Sequence, residues 1–414
     1  MALPHSALAS YQRRRPRLAL ALLGMLLLNG CGTYLRKEAP MGAAAEEIAV
    51  LGVANGRFWL DGSAEPLILE GQLMAAREVA ANPPGPLPSA SFLALSGGGD
   101  NGAFGAGVML GWTASGTRPA FNIVTGVSAG ALIAPFAFLG PDYDPALREL
   151  FTGLRARDVI LLPRLLNAGF ALLFGEALAD TSPLSRLINR HADHAMLAAI
   201  AREYARGRLL LIGTTNLDLQ RPVVWNIGAI AASGHPDALP LFRRILLASA
   251  SIPGAFPPVL VDVEQDGQGF QEMHVDGGTS AQVFLYPPTL NLRRELGGPG
   301  PARVRTAYVI RNGRVDLEAG ITTRGTLSIT RRAATTLLHF SGLGDIDRIY
   351  LTTQRDGVAF RLAYIGTDFQ APRSEPFDPF FMRALFDYGY AKAQAGYPWM
   401  TGPPIAGSAA NALP

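Results

Sequence analysis

Two glycine-rich turns, Gly97-Gly98-Gly99-Asp100-Asn101-Gly102 and Gly126-Val127-Ser128-Ala129-Gly130, restrict this chain more than any other feature. Each lies between an apolar run and a stretch of small residues. The runs Phe92 to Ser96 and Phe121 to Val124 read as short buried strands, and Ala103 to Trp112 and Ala131 to Leu139 as helices. Two strand-turn-helix units within 35 residues imply parallel strands joined by crossover helices, hence an α/β fold. Such sheets keep their active sites at the carboxyl ends of the strands, so both turns are expected to face one crevice.

The motif around Ser128 is weak taken alone. With 46 glycines and 18 serines in 414 residues, about 0.2 accidental matches to G-x-S-x-G are expected. Its context adds the weight: a serine at a strand-to-helix turn is a nucleophile elbow, with the positive end of a helix dipole behind it. The first turn also fits G-x-G-x-x-G through Gly97, Gly99 and Gly102, the dinucleotide fingerprint. That site wants an acidic residue about 20 positions on, and here Gly126 and Ser128 stand instead. The glycine turn reads better as a set of backbone donors for an oxyanion, from Gly97, Gly98 and Gly99.

The basic charge balance says nothing about nucleic acid, and no nucleic-acid partner is expected. The net charge of +3 comes from Arg13, Arg14, Arg15 and Arg17, and without them 32 basic residues face 33 acidic ones. Those arginines, the apolar run Leu18 to Leu28 and Gly30 before Cys31 form a tripartite secretory signal over residues 1–30, with an apolar core too short to span a bilayer confidently. Leu28-Asn29-Gly30-Cys31 resembles a bacterial lipobox, which implies a lipidated Cys31 and a membrane-anchored protein of the bacterial cell envelope. Gly32, where aspartate would signal inner-membrane retention, points to the outer membrane. As the single cysteine, Cys31 leaves no disulfide to form within the chain.

Residues 31–89 read as a tether to about Ala45 and then an ordered extension packed on the main body, with a helix near Glu70 to Ala81, broken by Asn82-Pro83-Pro84-Gly85-Pro86-Leu87-Pro88 at a domain boundary. Residues 90–395 form the main domain and 396–414 a tail. Val159 to Leu178 is an apolar core helix or a lid beside the crevice. Further strands are expected at Arg208 to Asn216, Val223 to Trp225, Met273 to Val275, Thr306 to Ile310 and Gly357 to Ile365, with a loop at Glu264 to Gly269. Helices are expected at Arg243 to Ser249 and Ile329 to Phe340.

A reactive serine needs a base within hydrogen-bond reach. Past the signal the histidines are His191, His194, His235, His274 and His339, none in the glycine-flanked loop expected of a catalytic imidazole. Asp276 does end a strand, and Gly277 and Gly278 follow it. A carboxylate is a poor base for serine unless partly desolvated and bonded to the hydroxyl, a condition that a buried Ser-Asp dyad meets.

These three motifs, in this order, resemble those of patatin-like phospholipases, and the resemblance extends to Asp180 to Leu184, Thr214 to Asp218 and Ser249 to Val259. It implies a three-layer α/β/α sandwich with a mainly parallel sheet and hydrolysis of lipid acyl esters without metal or cofactor. Carried over, Ser128 is the nucleophile, Asp276 the proton acceptor, and Gly97 to Gly99 the oxyanion hole. Asn101 departs from the arginine or lysine many members carry in the turn, which weakens the expectation of phosphoglyceride preference. Arg311 is a candidate substitute cation, although a solvated surface arginine is the plainer reading. Two rival readings are an α/β-hydrolase using His339 as base and a non-catalytic lipid-binding lipoprotein.

Overall fold

The computed structural model describes residues 36–39, 45, 48–159, 180–295, 303–317 and 319–404. The signal, the lipobox with Cys31 and all but the first residue of Val159 to Leu178 lie outside them. Nine strands among the described residues are β1 (Arg57–Trp59), β2 (Ala90–Leu95), β3 (Ile123–Val127), β4 (Leu209–Asn216), β5 (Arg221–Asn226), β6 (Val259–Gln265), β7 (Gln268–Asp276), β8 (Arg305–Ile310) and β9 (Ala359–Ala363). They make one sheet in the order β1-β5-β4-β3-β2-β8-β9, with β7 also paired to β4 and β6 to β7. The centre, β4-β3-β2-β8-β9, is parallel, and β1, β5, β6 and β7 are added antiparallel.

The longer helices are α1 (Glu65–Ala81), α2 (Gly102–Ala114), α3 (Ala129–Leu139), α4 (Asp144–Thr152), α5 (Ser182–His191), α6 (His194–Ala205), α7 (Ala238–Ser249), α8 (Thr326–Asp356) and α9 (Pro379–Gln394). Strand alternation decides which layer each side chain meets. Leu93, Leu95, Val124 and Ile212 pack with Phe104, Ile133, Ile245 and Phe386 from the helices on one face. On the other face, Phe92, Ala94 and Val309 meet Ile346 and Ile349 of α8, while Leu211 and Val224 meet Met74 of α1. The result is the expected α/β/α sandwich, apolar on both sides of its parallel strands.

The extension expected to precede a domain boundary is part of this sandwich. Its Arg57 to Trp59 pair with Val223 to Trp225 as an edge strand, and α1 covers the sheet, so the proline-rich segment joins two elements of the same body. The expected loop at Glu264 to Gly269 shrinks to a two-residue hairpin turn. Asp266 and Gly267 take φ of 52° and 72°, the left-handed pair that suits the twist of the flanking strands. Helix α8 runs 31 residues, well past Phe340, and stops at Gly357 in the left-handed conformation.

Helix α9 had no counterpart in the sequence reading, yet α2 and α9 pack backbone against backbone. A Cβ on Gly107 would lie 2.1 Å from the Phe386 carbonyl oxygen, on Gly111 2.1 Å from that of Tyr390, and on Gly389 2.5 Å from that of Phe104. The glycines let two backbones touch, and α2 in turn carries the first glycine turn at its N-terminus. Gly107→Ala is therefore expected to push the helices apart and lower stability by about 1–3 kcal/mol, as overpacking does, which chemical denaturation would measure. Unchanged stability would contradict this packing.

Candidate active site

Ser128 caps α3 at the end of β3 with φ 55° and ψ −123°, a strained conformation for an L-residue. The surroundings impose it. A Cβ on Gly126 would lie 2.5 Å from the Gly130 carbonyl oxygen, and one on Gly130 2.3 Å from that of Leu95 at the end of β2. Only glycine at both positions lets α3 start this close to its strand and to the neighbouring one. The Ser128 N–H donates to Ser249 Oγ at 3.0 Å, and that hydroxyl donates to the Gly213 carbonyl at 2.7 Å, so α7 fixes the elbow from below.

Asp276 ends β7 across from Thr214 of β4 and is buried. Its N–H donates to the Ser251 carbonyl at 2.8 Å, and its own carbonyl accepts from Thr215 Oγ1 at 3.1 Å. Oδ1 accepts the Gly278 N–H at 2.7 Å. Oδ2 has no formed hydrogen bond, although the Ser128 hydroxyl lies near enough to favour the anion. Burial pushes the carboxyl up to about 7, and the Ser128 hydroxyl and the Gly278 amide pull the other way without cancelling it. A base poised near neutrality beside a strained serine can take up a proton and return it.

The first glycine turn sits over this pair. A Cβ on Gly97 would come 3.2 Å from Ser128 Cβ. Its own N–H, however, donates to the Gln282 carbonyl at 3.0 Å, which corrects the expectation that all three glycines offer amides. Gly98 and Gly99 are left, with no hydrogen bond from either amide among the described residues. Gly98 lies under Asn312, whose carbonyl oxygen would be 2.1 Å from a Cβ, and Gly99 has φ 59°. Asn312 holds the turn by donating from its backbone N–H to Ser96 Oγ and from Nδ2 to the Ser96 carbonyl, both at 2.8 Å, while Oδ1 accepts the Gly105 N–H at 3.0 Å. Gln282 links the two turns, since its Nε2 donates to the Gly278 carbonyl at 2.7 Å.

Asp100 is buried, paired with Arg373 at 2.8 Å, and accepts the Phe377 N–H at 2.9 Å, so the turn is anchored to the segment leading into α9. Ser249, Gln282, Asn312 and Asp100 escaped the sequence reading as positioning residues. Asp100 was visible inside its motif, but the others act from 121 to 216 residues away in the chain, and no local pattern marks them.

The histidines are engaged elsewhere. His274, two residues before Asp276, is fully buried; its Nε2 lies 3.0 Å from Glu272 and Nδ1 3.0 Å from the Thr214 hydroxyl, which accepts from Trp225 Nε1 at 2.7 Å. Those partners assign a neutral ring donating from Nε2 to Glu272. Glu272, also bonded to Arg57 at 2.6 Å, is held down at about 2 against its own burial by His274 and Arg57. His339 lies on α8, ring edge-on to Phe340. Arg311 is buried, not solvated. Its Nε donates to the Arg314 carbonyl at 2.9 Å and its Nη1 presses against Gly342 of α8, so it braces that helix.

The raised Asp276 pKa has a consequence for folding with a definite sign. From the ordinary value of 3.8 to about 7 the folded state holds a proton that the unfolded chain has lost. Stability from this group is full below pH 4 and is lost as the pH rises through 7, by about 4 kcal/mol in all. Asp276→Asn, which cannot ionise, is expected to be more stable than the parent at pH 8 and to lose most of that advantage by pH 4. Thermal melts of both across this range would check it, and a pH-independent difference would contradict the buried carboxylate.

No curated protein sequence matches the chain. Among solved structures it is similar to VipD from Legionella pneumophila, with a TM-score of 0.32, 11% identity, and 75% of this chain and 66% of that one covered. It is also similar to human GIVD cytosolic phospholipase A2, with a TM-score of 0.32, 11% identity, and 76% and 55% covered. The chain thus spans just under two thirds of the first structure's length and about half of the second's. Residues 93–287, a span that holds both glycine turns, Ser128 and Asp276, match the family model described as Patatin-like phospholipase.

Proposed function

We propose that the protein is a serine acyl-ester hydrolase acting on lipids through a dyad of Ser128 and Asp276. The observation that carries this reading is the strained Ser128 beside a buried carboxylate with an unbonded Oδ2 and a pKa about 7. Asp276 takes the hydroxyl proton as Ser128 Oγ attacks the ester carbonyl carbon. The oxyanion forms under the free amides of Gly98 and Gly99, whose fixed dipoles stabilise charge only once it develops. Collapse expels the alcohol, which receives the proton from Asp276. Water, deprotonated by the same carboxylate, then releases the acid and regenerates the serine.

Phospholipase and lysophospholipase chemistry fits the family's description. Asn101 supplies only a neutral donor at the turn, and Arg311 is used to brace α8, so neither offers a phosphate the cation that would select a phosphoglyceride. We further propose that the lipidated Cys31 tethers the domain to the bacterial envelope at the outer membrane, supported by the arginine-flanked apolar run before it. Among the described residues no helix is long and apolar enough to cross a membrane, and no cluster of His, Cys, Asp or Glu could hold a metal ion.

Ser128→Ala and Asp276→Asn are each expected to cut hydrolysis of a p-nitrophenyl acyl ester by at least about a thousandfold in folded protein. A fluorophosphonate is expected to label Ser128 in the parent alone. Turnover near the parent's in either variant would sink the dyad, and intact turnover in Asp276→Asn with loss in His339→Ala would hand the base to histidine. Because the carboxylate is the active form, the kcat/KM of the parent should rise with pH through about 7 and then level.

A further inference from the structure

One large cavity does not contain the candidate dyad. It measures 890 Å³, lies on the α1 side of the sheet, and includes neither Ser128 nor Asp276 among its lining residues. Its floor crosses five neighbouring strands through Val224 of β5, Leu211 of β4, Ile123 of β3, Phe92 of β2 and Arg305 of β8. At about 4.8 Å per strand this is a trough of about 19 Å. Leu67, Ile68 and Met74 of α1 wall one side, and Leu285, Leu290 and Leu292 the other. The Phe284 ring lines it too, packed on Gly213, where a Cβ would lie 2.9 Å from it.

Protein interiors are otherwise close-packed, and a space of this size with apolar walls falls in the range of about 300–1,000 Å³ typical of ligand sites. Water gains few partners there. The charged groups that line it, Arg305 in the floor among them, alternate in sign. Arg303 is paired with Glu78 at 2.6 Å, and Asp356 holds Arg355 and Tyr286. Arg293 also lines the cavity, exposed and without an ion pair among the described residues. One available cation among carboxylates suits a compact monoanion and disfavours a bulky, multiply charged headgroup.

We propose that this trough binds a long-chain fatty acid, its hydrocarbon tail lying across the strands and its carboxylate at Arg293. The site is separate from the Ser128 crevice and stands or falls independently of the hydrolase reading. The probe is 11-(dansylamino)undecanoic acid, titrated into the full chain after Ser128→Ala has removed any turnover. The expected result is saturable fluorescence enhancement, displaced by oleic acid and not by dodecylamine.

Ala75→Trp, whose indole would fill the trough from α1, is expected to weaken binding at least about tenfold, and Arg293→Glu severalfold. In the Ser128-containing protein, Ala75→Trp should leave p-nitrophenyl butyrate turnover unchanged. Absence of saturable binding overturns the proposal, as does equal affinity in a folded Ala75→Trp. So does displacement of the probe from the Ser128-containing protein when a fluorophosphonate occupies Ser128, since the probe would then lie at the serine. Should Ala75→Trp fail to fold, Ile68→Trp obstructs the same wall and is read in the same way. If Ser128 fails its own tests while the probe still binds, only the hydrolase reading falls.

Discussion

Everything at the crevice depends on how closely the start of α3 approaches the end of β2. Gly130 stands where a Cβ would lie 2.3 Å from the Leu95 carbonyl oxygen, and Gly126 folds back on Gly130 itself. With any side chain at either position the elbow would open, and Ser128 would move away from the turn that follows Leu95. Close contact therefore does two things at once. It holds Ser128 at φ 55°, and it brings the serine against the first glycine turn, where a Cβ on Gly97 would lie 3.2 Å from Ser128 Cβ. The strain persists because packing elsewhere outweighs it: β4 is buried along its whole length, and Ser249 of α7 engages the serine amide directly.

Electrostatics at the site follow from the same arrangement. Asp276 is carried into the sheet by β7, which pairs with the carboxyl end of β4, so its carboxylate is buried with one amide donor and the serine hydroxyl for company. An arginine beside it would hold it ionised and make it a weak base. Arg57 instead belongs to a second buried network earlier on β7, where it and His274 hold Glu272 low. The three side chains share one face of β7, and position along the strand separates them: Glu272 bonds Arg57, His274 bonds Glu272 and Thr214, and Asp276 accepts the Gly278 amide at the strand end.

Legibility in the sequence varied with the range of the interaction. The two glycine turns, the strand before each and the helix after each are local patterns, and they fall where the sequence places them. Asp276 was legible because a strand end followed by two glycines is also local, and its partner Ser128 had already been marked. The edge strand β1 was not, since three residues carry no period, and α9 was not, because the aromatic run from Phe380 gives no clean amphipathic pattern. Arg311 reads as a surface residue by type and is buried against Gly342 by tertiary contact.

By itself the sequence determined the kind of fold, the order of the three motifs and the place of Asp276 at a strand end before two glycines, because these follow from residue types within a few positions of one another. Tertiary structure alone decided which amides remain to meet an oxyanion. Gly97, Gly98 and Gly99 are equivalent as a string, but Gln282, 185 residues further along, takes the first amide, and Asn312 fixes the second. It also decided the protonation of Asp276, since a carboxylate acquires a pKa about 7 only when burial strips its water, and burial is a property of the assembled sheet.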